Sequence, residues 1–128
     1  MLLVDVVTVL EQVWGGEFAW VYKRLGDQMD VPDYLSVYLA YVADGPAATA
    51  WVYFEPESAF ARLHAGSTVE AYRGRGLYRA LLAARAQEAM ARDYGYLIVG
   101  AGNMSRPIVA RYGFQYLTTA YTYVWQGQ

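Results

Sequence analysis

Between Tyr34 and Val69 the sequence holds three apolar runs, and then its period changes. YLSVYLAYVA (Tyr34–Ala43), AATAWVYF (Ala47–Phe54) and FARLHAGSTV (Phe60–Val69) are rich in β-branched and aromatic residues. Such residues suit a pleated surface, and the first run, apolar on both sides, suits a strand covered on both faces. Asp44-Gly45-Pro46 and Glu55-Pro56-Glu57-Ser58 supply turns, so the first two runs predict an antiparallel hairpin. From Leu77, the residues Leu81, Leu82, Arg85 and Glu88 set up a helix of about four turns, ending near Asp93-Tyr94-Gly95. Tyr96–Val99 then predicts a strand, Ser105–Arg111 a short helix, and Phe114–Val124 an alternating strand or hairpin. Antiparallel strands followed by one reached through a long helix imply a mixed sheet with helices packed on it.

The first third is less regular. LLVDVV (Leu2–Val7) predicts a short strand, and Thr8 three residues before Glu11 has the spacing of a capping box at a helix start. Phe18, Val21, Tyr22 and Leu25 recur at helical spacing, with Gly26 placed as a C-terminal cap. The stretch Asp30–Asp33, with Pro32, breaks that pattern.

The 128 residues amount to one domain, 1–128, or one half of a longer tandem protein. No apolar run reaches the roughly 18 residues that span a bilayer, so no membrane partner is expected and the expected location is cytoplasmic. The absence of cysteine excludes a disulfide framework, a thiol nucleophile and Cys-based zinc sites. His64 is the only histidine, so no metal site is expected. The net charge of −2 conceals an asymmetry. Residues 1–60 carry Lys23 and Arg24 against nine acidic side chains, whereas residues 61–128 carry eight arginines against Glu70, Glu88 and Asp93. A net acidic chain is a poor nucleic-acid binder; a local arginine cluster suits a small phosphorylated ligand.

Two glycine-bearing turns compete as the place for that phosphate. LIVGAGNMS (Leu97–Ser105) follows a strand, but a dinucleotide fingerprint requires a third glycine where Ser105 stands. It also requires an acidic residue about 20 positions later for the ribose, and no Asp or Glu follows Asp93. The other turn, Glu70-Ala-Tyr-Arg-Gly-Arg-Gly-Leu-Tyr78, leads from a strand directly into the long helix. The first N–H groups of a helix lack partners and its dipole favours anions. Glycines there let backbone approach a pyrophosphate, and Arg73, Arg75 and Arg79 add charge.

STVEAYRGRGLYRALLAARAQEA resembles the acyl-CoA-binding motif of the GCN5-related N-acetyltransferase (GNAT) superfamily, whose pattern Gln/Arg-x-x-Gly-x-Gly/Ala falls on Arg73–Tyr78. The likeness extends through YLIV, Asn103 and Arg-Tyr-Gly-Phe (Arg111–Phe114), and covers about 34–124. It implies a single-domain α/β fold: a mixed, mostly antiparallel sheet, splayed at the cofactor site, with helices on both faces. It further implies acetyl-CoA as co-substrate, with pantetheine against Thr68 and Val69, pyrophosphate on Arg73, Gly74, Arg75, Gly76, Leu77 and Tyr78, and Asn103 beside the pantetheine. The implied activity is N-acetyl transfer to an amine of a small molecule or protein, by direct attack in a ternary complex.

Two positions depart from the pattern. Tyr78 stands where Gly or Ala is usual, and Val109 where many members place a tyrosine that protonates the leaving thiolate. Ser105 and Tyr112 are the substitute acids, and Glu70 is the candidate base, with Glu55, Glu57 and His64 as further bases. Val109 also raises the alternative of a catalytically degenerate acyl-CoA-binding or interaction module. The many aromatic residues are expected in the core, a dimer interface or a substrate pocket, and the acidic N-terminal part suggests a cationic amine. The Tyr-rich run Tyr116–Val124 would be hazardous as a bare edge, which makes a homodimer the expected assembly.

Overall fold

The computed structural model describes residues 2–43, 45–102, 105–121, 123–125 and 127. Two helices lead, α1 (Leu2–Trp14) and α2 (Ala19–Met29), followed by strands β1 (Leu35–Val42), β2 (Gly45–Phe54) and β3 (Phe60–Thr68). A short 3-10 turn (Glu70–Tyr72) precedes α3 (Leu77–Ala91), β4 (Tyr96–Val99) and α4 (Arg106–Arg111). The sheet order is β1-β2-β3-β4. The first three strands are antiparallel, and β4 lies parallel to β3 after the crossover through α3.

Alternation along β2 divides the core into two layers. Trp51 and Tyr53 face α1 and α2, where they join Val6, Leu10, Val21 and Leu25. Val52 and Phe54, with Leu63 and Ala61 of β3, face α3 and meet Leu82 and Ala89. Both sheet faces are therefore covered by helices, as expected. Leu25 and Phe54 are almost wholly buried, and full burial of such side chains is worth about 1.5–3 kcal/mol each.

The N-terminal expectations need correction. Leu2–Val7 is not a strand but the opening of α1. Val6, Val9 and Leu10 are all buried, a helical spacing that β-branched composition masked. Thr8 is accordingly not a cap: it lies inside α1 and its hydroxyl donates to Val4 O, 3.0 Å away and one turn back. The Glu11 carboxylate instead accepts the Phe18 N–H at 3.2 Å, at the start of α2. Gly26 does not end α2, which runs on to Met29.

The C-terminal expectation also changes. Residues 114–121 and 123–125 form no strand or hairpin, and Tyr116, Leu117, Tyr121, Tyr123, Val124 and Trp125 are exposed. Alternating apolar residues supply strand propensity, but a strand exists only when a second segment pairs with it, and none does among the described residues.

Candidate active site

β3 and β4 pair only from Phe60↔Tyr96 to Leu63↔Val99. Beyond that point β3 continues to Thr68 without β4 beside it, and Gly100–Gly102 carries the other chain away. The sheet therefore opens at His64. The same stretch is bulged against β2: Trp51 pairs with His64 but Thr49 pairs with Ser67, and Ala65 takes a left-handed φ of 56°. Val69 N–H bonds Ala47 O at 2.8 Å, so residues of that parity turn toward β2. The backbone groups of Gly66 and Thr68 then face the opening. Thr68 O already accepts from Arg73 Nε at 3.0 Å, and Val69 O accepts from Tyr72 N–H at 2.9 Å.

Arg85 of α3 fills the bulge from behind. Its Nε donates to Leu81 O (3.1 Å), and one terminal nitrogen donates to Trp51 O (3.3 Å) and His64 O (3.4 Å). It is 2% exposed, and no carboxylate pairs with it among the described residues. Burial pushes its pKa below the ordinary value, opposed by the phenols of Tyr78 and Tyr38. A buried cation bonded to carbonyls alone is a costly arrangement, and here it holds the two strands where the ladder skips.

The phosphate-loop expectation has a structural basis. Gly74 (φ 79°) and Gly76 (φ 80°) adopt the left-handed conformation that glycine takes without steric cost. Gly76 is the N-cap of the 15-residue α3, so the N–H groups of Leu77, Tyr78 and Arg79 lie at an open helix start. Arg73, Arg75 and Arg79 are exposed around it, with the Arg75 guanidinium 5.4 Å from the Tyr72 ring centre.

Tyr78 folds away from solvent onto β3. A Cβ added to Gly66 would lie 2.6 Å from Tyr78 Cε2. Gly66 thus admits a bulky residue where the motif usually has a small one. Burial raises the Tyr78 pKa; the nearby Arg85 charge lowers it and the neighbouring Tyr112 phenol raises it. Tyr112 caps the end of α4 and is exposed.

The remaining candidates stay apart. Glu70 is exposed in the 3-10 turn, and Ser105, half-buried, occupies the N-cap of α4 without a side-chain cap bond. No hydrogen bond among the described residues joins Glu70, Ser105 and Tyr112. Val109 is buried in α4. Asn103 lies outside the described residues. Glu55 is engaged by Arg62 at 2.9 Å, and Glu57 is exposed in the turn after β2.

On the other sheet face, a cavity of about 400 Å³ lies between the α1–α2 turn and β2–β3, reaching β3 at His64 and Ala65. Burial chiefly, then the charges of Arg62 and Arg85, lowers the His64 pKa. The sequence reading did not locate this cavity, the Gly66–Tyr78 contact or the role of Arg85. One signal was available: Arg85 occupies an apolar position in the helical pattern of α3.

No protein-family model matches the sequence, and no curated protein matches it. Solved structures do. An acetyltransferase of Trypanosoma brucei is 16% identical over 96% of this chain and 92% of its own, with a TM-score of 0.79. The aminoglycoside N-acetyltransferase AAC(6')-Iy in complex with CoA is 16% identical over 98% and 89%, with a TM-score of 0.79. Glucosamine-6-phosphate N-acetyltransferase from Arabidopsis thaliana is 12% identical over 97% and 94%, with a TM-score of 0.79. The chain has the fold of the GNAT acetyltransferases, and at these identities the likeness concerns the fold.

Proposed function

We propose that this chain transfers an acetyl group from acetyl-CoA to an amine. One observation carries the reading: the sheet opens between β3 and β4 beside the glycine–arginine start of α3, in the fold of a CoA-bound acetyltransferase. The pyrophosphate would rest on N–H groups of residues 74–78, with Arg73, Arg75 and Arg79 supplying charge. Among the described residues Arg73 bonds Thr68 O through Nε alone, which leaves its terminal nitrogens to reach a phosphate. The pantetheine amides would pair with the open backbone edge at Gly66 and Thr68.

In the reaction the lone pair of a neutral amine bonds the thioester carbonyl carbon. The C–S bond breaks, the thiolate takes a proton, and the acylated nitrogen releases one. Holding both reactants in one cleft supplies part of the rate, and an N–H of the open edge would polarise the carbonyl. A thiol pKa of about 8.5 makes CoA a fair leaving group, and a general acid adds roughly 10²–10⁴-fold. Val109 can donate no proton. Tyr112 and Ser105 are the candidate acids, with Glu70 as a base acting through water.

The second reading, a CoA-binding module without turnover, is favoured by Val109 and by the bulk of Tyr78 at the open edge. Release of CoA thiol from acetyl-CoA in the presence of amines separates the two. Arg75→Glu should weaken acetyl-CoA binding by about tenfold or more, the worth of one charge-assisted hydrogen bond, with folding unchanged. Turnover lost in parallel supports transfer; binding lost where the parent protein never turns over supports the module. The proposal extends to a small-molecule or protein acceptor, a homodimer and a cytoplasmic setting.

A further inference from the structure

The geometry points to the class of acceptor: an amine carried on a flat aromatic body, bound in the cavity between the α1–α2 turn and β2–β3. This inference rests on the acetyl-transfer reading and specifies its second substrate.

The walls are aromatic. Trp14 ends α1, Phe18 caps α2 and Trp20 lies in its first turn, while Trp51 and Tyr53 come from β2. Trp14 and Trp20 are 66% and 56% exposed, an unusual state for indoles that a bound ring would end. Trp14 is nonetheless held in place, its Nε1–H donating to Ser67 Oγ at 3.1 Å. Ser67 lies just past the bulge, so Trp14 spans from α1 to the strand that opens. The wall is therefore preorganised at the end nearest the splay.

Trp51 adds its ring to the wall and is 8% exposed, with its indole N–H buried beside the Tyr53 phenol.

Charge decides against a polycation. No Asp or Glu lines the cavity, whereas Arg24 does. Arg24 stands 5.3 Å from the Trp20 ring centre and Arg62 4.7 Å from that of Tyr53, so guanidinium groups already occupy those faces. His64, with its lowered pKa, adds no counter-charge. No acidic residue of 1–60 lines this cavity among the described residues, which disfavours an acceptor of several positive charges and suits an aromatic one with a single amine. At the His64–Ala65 end the cavity meets the place where β4 leaves β3. A ring seated among the tryptophans would present its amine there. The nitrogen bonds the acetyl carbon, the C–S bond breaks, and the proton lost from nitrogen balances the one gained by the CoA sulfur.

The test uses the full chain with acetyl-CoA and four amines: phenylalaninamide, phenethylamine, neamine and glucosamine 6-phosphate. Acetyl-CoA binding is measured first by calorimetry, and amine binding by quenching of tryptophan fluorescence. The expected result is a kcat/KM for phenylalaninamide at least about tenfold above those for neamine and glucosamine 6-phosphate. Trp20→Ala, at an exposed position, should raise KM for both aromatic amines, leaving KM for acetyl-CoA unchanged. Intact acetyl-CoA binding with no reaction or quenching by phenylalaninamide, or with preference for neamine or glucosamine 6-phosphate, overturns the aromatic acceptor alone. Failure of acetyl-CoA to bind overturns the acetyl-transfer reading, and this inference falls with it.

Discussion

Replacing Gly66 by Ala tests the contact by which this chain accommodates Tyr78. The new Cβ would lie 2.6 Å from Tyr78 Cε2, 3.3 Å from Cδ2 and 3.4 Å from Cζ, where real Cβ contacts do not fall below 3.0 Å. The ring must therefore move, and it is pinned against the core formed by Val52, Leu63 and Leu82. Overpacking of this kind costs about 1–3 kcal/mol. At a urea slope of about 2 kcal/mol per M, a 2 kcal/mol loss lowers the unfolding midpoint by about 1 M. Tyr78→Ala removes the obstacle, so Gly66→Ala should cost little in that background. The double-mutant cycle should show a coupling of about 1–2 kcal/mol. An equal cost of Gly66→Ala with and without the tyrosine ring would refute the reasoning.

Three other outcomes follow from the same contacts. Arg85→Met leaves Leu81 O, Trp51 O and His64 O without their donor while removing a buried charge; a net loss of about 2 kcal/mol is expected in urea unfolding, and an unchanged midpoint would show that those carbonyls find other partners. The folded-state pKa of His64 is depressed, so the unfolded chain binds its proton more readily and stability falls as pH drops below about 6.5; the thermal midpoint of His64→Gln should be flatter than the parent's between pH 5 and 6.5, and parallel curves would contradict this. Light scattering should give twice the mass of one chain, with a homodimer covering the exposed run at Tyr116–Trp125, and a monomer would remove that proposal.

What the sequence made legible was set by local signals. The strands and α3 were bounded by turns, by β-rich composition and by a change of period, and their observed limits fall within a residue or two of the expected ones. The glycine turn before α3 was legible because the left-handed conformations of Gly74 and Gly76 are a property of the residue type. α1 was misread because four valines in its first nine residues mimic a strand, and only burial of Val6, Val9 and Leu10 against the rest of the fold makes them helical. The C-terminal run was misread for the opposite reason, since alternation without a pairing edge builds nothing. The Gly66–Tyr78 contact, the Arg85 plug and the aromatic cavity join residues distant in sequence, and no spacing within one segment encodes them. Trp51 illustrates this: its place in the cavity wall is visible only once β2 is placed beneath α1 and α2.

The central claim is that the opened sheet and the loop at residues 73–78 hold acetyl-CoA. Calorimetric titration of the purified chain with acetyl-CoA, with NAD as the control, tests it most directly. The account predicts saturable binding of acetyl-CoA, weakened by Arg75→Glu, and no heat with NAD beyond dilution. Binding of NAD in preference, or of neither ligand, would contradict it.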